Sequence, residues 1–215
     1  MTIYAATGNA GKLREFAESA SAEDVEVLAL PGLANMPEPV EDANTFMGNA
    51  ELKAVAYSKL APGLIVFADD SGLEVDALGG QPGVRSARFA NDLGFDAESG
   101  SGKDERNNRC LLALMDALPR TREGESNRTA RFLCALALAR DGEVLLRADG
   151  SVEGEILAAP RGDDGFGYDP LFLIPSLGLT VAELPPGQKW SVSHRGNAFR
   201  SLLEKVRAWR AAGKS

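Results

Sequence analysis

The chain is poor in the residues that bind transition metals or form disulfides. It has one histidine, His194, and two cysteines, Cys110 and Cys134, in 215 residues. A structural zinc site needs about four nitrogen or sulfur ligands, so this composition argues against one. Both cysteines lie in apolar stretches, which predicts buried, reduced thiols. A Ser-His-Asp hydrolase is also disfavoured, because no serine lies in a G-x-S-x-G turn.

The chain also lacks an excess of basic residues and a long apolar run. Lys and Arg total 23 against 31 Asp and Glu, for a net charge of −8 at pH 7. Broad contact with nucleic acid or an anionic membrane normally uses a basic face, so we expect neither as a partner. A few local cations can still hold a small phosphorylated ligand. With no membrane-length apolar segment and no signal-like N-terminus, we expect a cytoplasmic protein.

Short apolar stretches alternate with helical patterns and predict an α/β protein with one domain over residues 1–215. Asp141-Gly142 between two strand-like stretches is typical of a two-residue hairpin. We therefore expect a mixed sheet flanked by helices, in two lobes with a cleft between them. The Gly- and Ser-rich segment 92–103 predicts an exposed loop. Strands are predicted at 3–6, 25–30, 64–68, 130–140, 143–152 and 171–174, and helices at 13–20, 45–60, 104–118 and 199–212.

An acidic pair, Asp69-Asp70, follows the apolar stretch 64–68 and precedes Ser71-Gly72. Carboxylates at the end of a buried strand need water or a cation, and ligands of open α/β sheets bind beyond the carboxyl ends of strands. These residues therefore fit a divalent metal and an activated water. They fit equally a plain loop opened by a capping Asp.

A glycine-containing turn, Thr7-Gly8-Asn9-Ala10-Gly11-Lys12, separates the first strand from the first helix. Glycines let the backbone approach a ligand, and a helix N-terminus offers N–H groups to an anion. Lys12 adds a positive charge that is mildly unfavourable with the helix dipole, which favours a phosphate-binding role over a plain turn. The spacing is too short for a Walker A loop, and no Ser or Thr follows the Lys.

Glu41 lies in a proline-rich loop that leads into the helix at 45–60. Asn49 and Lys53 are four residues apart and share one face of that helix. On these residues alone, we favour a solvated acidic loop followed by an amphipathic helix.

Two later segments carry aromatic and cationic residues. In Gly165-Phe166-Gly167-Tyr168-Asp169-Pro170, aromatic rings alternate with glycines, which suits stacking on a base and equally suits rings that fill the core. Lys189, His194 and Arg195 place three donors just before the last helix, where they suit a phosphate or a purine edge. A lone histidine is otherwise more often structural than catalytic.

In this order, the segments resemble one family, the noncanonical purine nucleoside triphosphate pyrophosphatases, also called dITP/XTP or inosine triphosphate pyrophosphatases. The resemblance includes Gly79-Gly80-Gln81-Pro82-Gly83-Val84-Arg85-Ser86-Ala87-Arg88 and covers nearly the whole chain. It implies an elongated mixed sheet in two lobes with a central active-site cleft, usually in a homodimer. It also implies Mg²⁺-dependent hydrolysis of ITP, dITP and XTP to the monophosphate and pyrophosphate, which keeps these nucleotides out of DNA and RNA.

The resemblance also implies roles for individual residues. Asp70 would accept the proton of the attacking water and bind Mg²⁺, with Glu41 as the second metal ligand. Asp69 receives no role beyond shaping the turn or its electric field. The substrate-binding residues would be Thr7, Gly8, Asn9, Ala10, Gly11, Lys12 and Ser71 at the triphosphate, and Phe166, Gly167, Tyr168, Asp169, Lys189, His194 and Arg195 at the nucleotide, the later ones chiefly at its base end.

One position departs from the family's pattern. Bacterial members usually carry T-F-x-E-N-A at the start of the second helix, and this chain has Gly48 at the place of the Glu. Glu41 and Asp70 remain, so we expect activity. One alternative is a nucleotide-binding protein with weakened catalysis, which only Gly48 favours. The other is a pyrophosphatase for other modified nucleotides, which needs a different base pocket.

Overall fold

A computed structural model describes residues 1–20, 24–95, 102–118 and 128–213. In these ranges seven strands form one mixed sheet with the order β2-β1-β3-β4-β5-β6-β7, and six α-helices flank it. The predicted α/β class with a mixed sheet is confirmed. The strands are β1 Thr2–Ala5, β2 Glu26–Ala29, β3 Val66–Val75, β4 Thr129–Arg140, β5 Glu143–Ile156, β6 Phe172–Ile174 and β7 Leu179–Thr180; the helices are α1 Ala10–Ala20, α2 Phe46–Leu60, α3 Phe89–Asp92, α4 Lys103–Asp116, α5 Pro186–Val192 and α6 His194–Ala211.

The chain divides into two compact units. The first comprises Met1–Asp70, Cys134–Gly150 and His194–Ser215, and the second comprises Ser71–Leu133 and Ser151–Ser193. The expectation of one domain over residues 1–215 stays a prediction. No helix in the described ranges is both long and apolar enough to cross a membrane.

The first unit is built around three phenylalanines, one each from α1, β3 and α6. Ring centroids are 5.2 Å apart for Phe16 and Phe67, 4.7 Å for Phe16 and Phe199, and 5.7 Å for Phe67 and Phe199. All three side chains are buried, and burying one phenylalanine contributes on the order of 2 kcal/mol. β1 pairs in parallel with both β2 and β3. The aromatic cluster therefore fixes α1 and α6 against the strand that carries the acidic pair.

Strand β3 is longer than the sequence predicts, and the expectation that Asp69 and Asp70 end it is wrong. The strand continues through both acids to Val75. Aspartate is disfavoured in strands, but both carboxylates have cationic partners in the folded chain. Because side chains alternate along a strand, Phe67 and Asp69 share one face, and Asp70 lies on the other.

Helix α2 follows the predicted pattern. Phe46, Ala50, Ala54 and Tyr57 are buried, as their helical spacing indicates. Thr45 caps the helix by accepting a hydrogen bond from the Gly48 N–H at 3.0 Å, which satisfies one of the donors that a helix start leaves open.

Two helices begin earlier than predicted. α1 begins at Ala10, because the Asn9 side chain caps it and turns the second half of the 7–12 segment into helix. α6 begins at His194, and Lys189 lies in α5. Contrary to the prediction, Lys189 and the His194-Arg195 pair therefore do not lie in one loop. The prediction missed the start of α6 because its first residues are polar and hide the helical pattern.

The predicted hairpin is confirmed. β4 and β5 are joined by Asp141 and Gly142, whose φ angles are 52° and 85°, as a type I′ turn requires. In the second unit, α4 buries Cys110, Leu111 and Met115 against β4, β5 and β6 side chains. Of the predicted exposed loop at 92–103, residues 96–101 lie outside the described ranges.

Both cysteines are free and buried, as predicted. Burial raises the pKa of both thiols, and for Cys134, where the negative charge of Asp69 adds to the effect, it raises the pKa to about 12.

We expect a thiol reagent at pH 8 to label neither cysteine in the native protein and both after unfolding in guanidinium, because a protonated, buried thiol is inert. Labelling is followed by mass spectrometry. Rapid modification of Cys134 in the folded protein would contradict this arrangement.

Candidate active site

The buried carboxylate of Asp69 anchors two cations. The Lys12 Nζ lies 2.8 Å from the Asp69 Oδ2, and the Arg195 Nε lies 4.0 Å from the same oxygen. Burial opposes the ionisation of Asp69, but the charges of Lys12 and Arg195 and the hydrogen bond from Lys12 outweigh it and hold the pKa at about 2. The sequence did not indicate this pairing of Asp69, because its partners are distant in the chain.

The 7–12 segment combines a turn with the first turn of α1. The Asn9 Oδ1 accepts hydrogen bonds from the Gly11 N–H at 2.9 Å and the Lys12 N–H at 3.1 Å. The Thr7 Oγ1 accepts from the Asn9 N–H at 3.2 Å. A side chain at Gly8 would meet no described atom within 4 Å. The arrangement places Lys12 at a helix start with an open backbone stretch beside it, which suits an anion.

Asp70 is held from α2. The Asn49 Nδ2 donates to the Asp70 Oδ2 at 3.0 Å, and the Lys53 Nζ lies 3.5 Å from the Oδ1. Burial raises the pKa of Asp70, and the negative charges of Glu41 and Asp69 raise it further, against the opposing effects of Lys53 and Asn49. A raised pKa brings a carboxylate closer to the range where it acts as a general base at neutral pH.

Glu41 joins the same group through Lys53. The Lys53 Nζ lies 2.8 Å from the Glu41 Oε2, and the Lys53 side chain is largely buried. Burial lowers the pKa of Lys53, but the attraction of Asp70 and Glu41 outweighs it and raises the pKa. Glu41 therefore lies in a loop but is also paired with Lys53. The four-residue spacing of Asn49 and Lys53 is the sequence feature that indicates this group of contacts, because it places both side chains on the face of α2 that meets Asp70.

These contacts allow a test of whether Glu41 and Asp70 fit Mg²⁺. Both carboxylates approach one cation, the Lys53 ammonium, so both can reach a common positive charge. Mg²⁺ is usually held by one or two carboxylates together with waters and phosphate oxygens. In the described ranges no group of three or more His, Cys, Asp or Glu could enclose a metal. The donor set fits Mg²⁺ bound together with a phosphorylated ligand.

The chain approaches itself closely at Gly48. A Cβ at this position would lie 2.7 Å from the Ala43 Cβ and 3.1 Å from the Thr45 Oγ1. The Ala43 N–H donates to the Asn49 Oδ1 at 3.0 Å, so the segment that follows Glu41 is tied to α2. A glutamate at position 48 would have to displace this segment.

In the second unit, Asp169 organises Lys189 and Phe166. The Asp169 Oδ2 accepts from the Lys189 Nζ at 2.7 Å and from the Phe166 N–H at 3.1 Å. The Lys189 Nζ lies 5.5 Å from the centroid of the Phe166 ring, within reach of a cation–π interaction. The Phe166 side chain is 51% exposed. An exposed ring and a fixed ammonium group can together contact a planar, polar ligand.

The two aromatic residues of the 165–170 segment differ in their surroundings. Phe166 is exposed, whereas Tyr168 is buried and its hydroxyl donates to the Ser86 carbonyl oxygen at 3.0 Å. Of the two interpretations of this segment, ligand stacking fits Phe166 and core filling fits Tyr168. Direct contact of Tyr168 with a nucleotide stays a prediction.

The remaining predicted residues are placed as follows. His194 is the half-buried first residue of α6. Arg195 is buried and faces Asp69, which also pairs with Lys12, one of the predicted phosphate-binding residues. Ser71 is half-buried in β3, one position after Asp70.

The fold and these contacts define an α/β protein with candidate phosphate and metal sites. The sequence profile of the Ham1 family matches residues 3–205, and the chain belongs to that family.

Similar proteins cover nearly the same length. The chain is 50% identical over 206 residues to the dITP/XTP pyrophosphatase of Acidobacterium capsulatum, covering 96% of this chain and 98% of the relative. It is 44% identical to the dITP/XTP pyrophosphatase of Lactobacillus acidophilus, covering 96% and 97%. A solved HAM1 protein from Coxiella burnetii superposes with a TM-score of 0.81 at 34% identity, covering 97% and 99%.

We expect Asp69→Asn to lower the free energy of unfolding at pH 7 by about 3 kcal/mol, because Lys12 and Arg195 lose their buried counter-charge. The folded pKa of Asp69 is about 2, below an unfolded value of about 3.9. The stabilisation is therefore present at neutral pH and is lost as the pH falls from about 4 to about 2. Urea denaturation at several pH values measures this.

Asp92→Asn is the matched control, since Asp92 pairs with the half-exposed Arg88 at 3.2 Å and should lose less than about 1 kcal/mol. Equal stability of Asp69→Asn and the unchanged protein at pH 7 would contradict the anchor role.

Proposed function

We propose that this chain is a nucleoside triphosphate pyrophosphatase that hydrolyses dITP, XTP and ITP to the monophosphate and pyrophosphate. The observation that carries the proposal is the arrangement of the two adjacent acids of β3. Asp69 anchors Lys12, and Asp70 lies with Glu41 around Lys53. Relatives at 50% and 44% identity are named dITP/XTP pyrophosphatases, which supports the same reaction here.

Lys12 and the start of α1 would bind the triphosphate. The reaction cleaves the bond between the α- and β-phosphates, so negative charge grows on the departing pyrophosphate. A fixed cation and a helix N-terminus stabilise such charge. Asp69 holds the Lys12 ammonium at 2.8 Å, so little reorganisation is needed when substrate binds. Thr7, Gly8 and Asn9 would line the same phosphate groups, with Ser71 beside them.

Asp70 would act as the general base. Asn49 donates to its Oδ2 at 3.0 Å and the Lys53 Nζ lies 3.5 Å from its Oδ1. The more loosely held Oδ1 would accept a proton from the water that attacks the α-phosphorus. The raised pKa of Asp70 suits this role at neutral pH. Mg²⁺ held by Glu41 and Asp70 would offset the charge of the triphosphate. Lys53, which contacts both carboxylates, would keep them together.

The base would be selected in the second unit. The exposed Phe166 ring offers a stacking face, and Lys189 offers a donor. The 6-keto oxygen of hypoxanthine or xanthine would accept a hydrogen bond from an N–H of Lys189 that does not bond Asp169, whereas the 6-amino group of adenine cannot accept one. Sites that rely on such bonds discriminate by several kcal/mol. His194 and Arg195, which belong to the first unit, would be further donors for the nucleotide.

The proposal also includes Mg²⁺ as the metal and a cytoplasmic homodimer as the working form, as the family resemblance implies. The alternative of a nucleotide-binding protein with weakened catalysis rests on Gly48, which stands where the family usually has a Glu. The segment around Gly48 is closely packed, and the assay below tests this alternative.

We expect pyrophosphate release from ITP, dITP and XTP with Mg²⁺ to exceed release from ATP by about tenfold in kcat/KM, because a buried donor left unpaired costs about 1–3 kcal/mol and about 1.4 kcal/mol corresponds to a factor of ten. Chelation by EDTA should stop release. Equal rates on ITP and ATP would refute the base selection. Nucleotide binding without turnover would favour the weakened-catalysis alternative.

We expect Asp70→Asn to lower kcat for ITP by about 10²–10⁴-fold, as loss of a general base does, while ITP still binds. Pyrophosphate release in timed assays gives kcat, and calorimetric titration with ITP gives the affinity. Asp76→Asn is the control, because Asp76 is exposed and contacts Thr129 and Arg131. Full turnover by Asp70→Asn would remove this residue from the base role.

A further inference from the structure

Two side chains of α4 hold both polar backbone groups of Gly167. The Gly167 N–H donates to the Asp104 Oδ2 at 2.8 Å, and the Asn108 Nδ2 donates to the Gly167 carbonyl oxygen at 3.0 Å. Asp104 and Asn108 are four residues apart, so they project from one face of the helix. Gly167 lies directly after the exposed Phe166 and has a φ of 60°, a conformation that glycine adopts readily.

The rest of this turn is held by other elements of the same unit. The Asp169 N–H donates to the Phe166 carbonyl oxygen at 3.2 Å, and the Asp169 side chain bonds to Lys189 and to the Phe166 N–H. Tyr168 is buried and bonded to the Ser86 carbonyl. Gly167 lies between the exposed ring and these fixed residues, and both of its polar backbone groups are bonded to α4.

Helix α4 is a rigid support for these two contacts. Its apolar side buries Leu111 and Met115. Its buried Asn107 accepts a hydrogen bond from the Ala90 N–H at 2.9 Å and donates to the Ser86 carbonyl oxygen at 3.3 Å. Adjacent polar residues of α4 thus bind different segments: Asn107 binds the 86–90 segment, and Asn108 binds Gly167.

Asn108 and Asp104 make different kinds of contact with Gly167. The Asn108 Oδ1 is buried and has no hydrogen-bond partner in the described part of the chain. An unsatisfied buried acceptor costs about 1–3 kcal/mol, and proteins tend to accept such costs at functional positions. Asp104 adds a charge-assisted bond on the Gly167 N–H, which is stronger than a neutral one.

We propose that Asp104 and Asn108 are positioning residues for recognition of the purine base. By fixing the peptide groups of Gly167, they hold the Phe166 ring at its distance from the Lys189 ammonium. This inference rests on the proposed function, because it assigns the 165–170 segment to base binding. It goes further in making two residues of α4, which act through the backbone of Gly167, determinants of substrate choice. Site geometry of this kind depends on supporting hydrogen bonds.

The test compares three variants of the full chain. Asp104→Ala should raise KM for ITP about tenfold, leave kcat within about twofold, and lower the ITP-to-ATP ratio of kcat/KM, since one bond to a charged group is lost. Asp104→Asn keeps an acceptor and should restore most of the affinity and selectivity. Glu105→Ala is the matched control, because Glu105 lies in the same first turn and bonds Arg109 at 2.7 Å. It should leave KM and selectivity unchanged.

Hydrogen exchange at the Gly167 amide provides a readout that is independent of activity. Exchange should be at least about tenfold faster in Asp104→Ala than in the unchanged protein or in Glu105→Ala, because the Gly167 N–H loses its acceptor. Faster exchange with an unchanged KM and ITP-to-ATP ratio overturns the inference. Equal effects of Asp104→Ala and Glu105→Ala on KM, kcat and melting temperature also overturn it, since they indicate general loss of helix stability.

Failure of the proposed function is distinguishable. If the unchanged protein releases pyrophosphate from no nucleotide, the pyrophosphatase proposal fails. The inference is then decided by calorimetric titration with ITP. Weaker binding by Asp104→Ala, with recovery in Asp104→Asn, supports it, and equal affinities of these variants and the unchanged protein overturn it.

Discussion

The ion pair between Asp69 and Lys12 is the interaction on which the first unit depends. A carboxylate is buried in the middle of a strand, where an unpaired charge would be prohibitive, and it stays ionised because Lys12 and Arg195 face it. The pair ties β3 to α1 and, through Arg195, to α6. The same three elements meet in the cluster of Phe16, Phe67 and Phe199. Apolar packing and a buried charge thus fix the same helices, and the position of Lys12 follows from both.

The alternation of side chains along β3 separates two kinds of chemistry. Asp69 faces α1 and α6, and Asp70 contacts α2 through Asn49 and Lys53. Two neighbouring residues of one strand therefore differ in acidity: the pKa of Asp69 is about 2, and the pKa of Asp70 is raised. The first serves as a permanent counter-charge. The second remains suited to exchange protons, although the two are neighbours in sequence.

Local patterns predicted much of the fold, because they depend on residues close in the chain. The apolar stripe of α2 and the Asp141-Gly142 hairpin are of this kind. The path of β3 was predicted wrongly, because an aspartate in a strand is acceptable only with partners such as Lys12, 57 residues away. For the same reason Asp69 received no role. The residues around Glu41, taken alone, indicated only a solvated loop, and the ion pair that Glu41 forms with Lys53 beside Asp70 was not apparent from them. Asp104 and Asn108 carry no motif that sequence reasoning could single out, since their partner is a backbone group.

The cap that Asn9 places on α1 has a consequence for the ions that the protein meets. The amide oxygen of Asn9 already accepts hydrogen bonds from the N–H groups of Gly11 and Lys12. It therefore occupies the backbone donors that an anion would otherwise bind. Because that oxygen is tethered, its effective concentration is high. A simple anion such as chloride gains little by replacing it. A polyphosphate, which can engage the Lys12 ammonium and the helix end together, makes several contacts at once, so this helix end favours a polyphosphate over a simple anion.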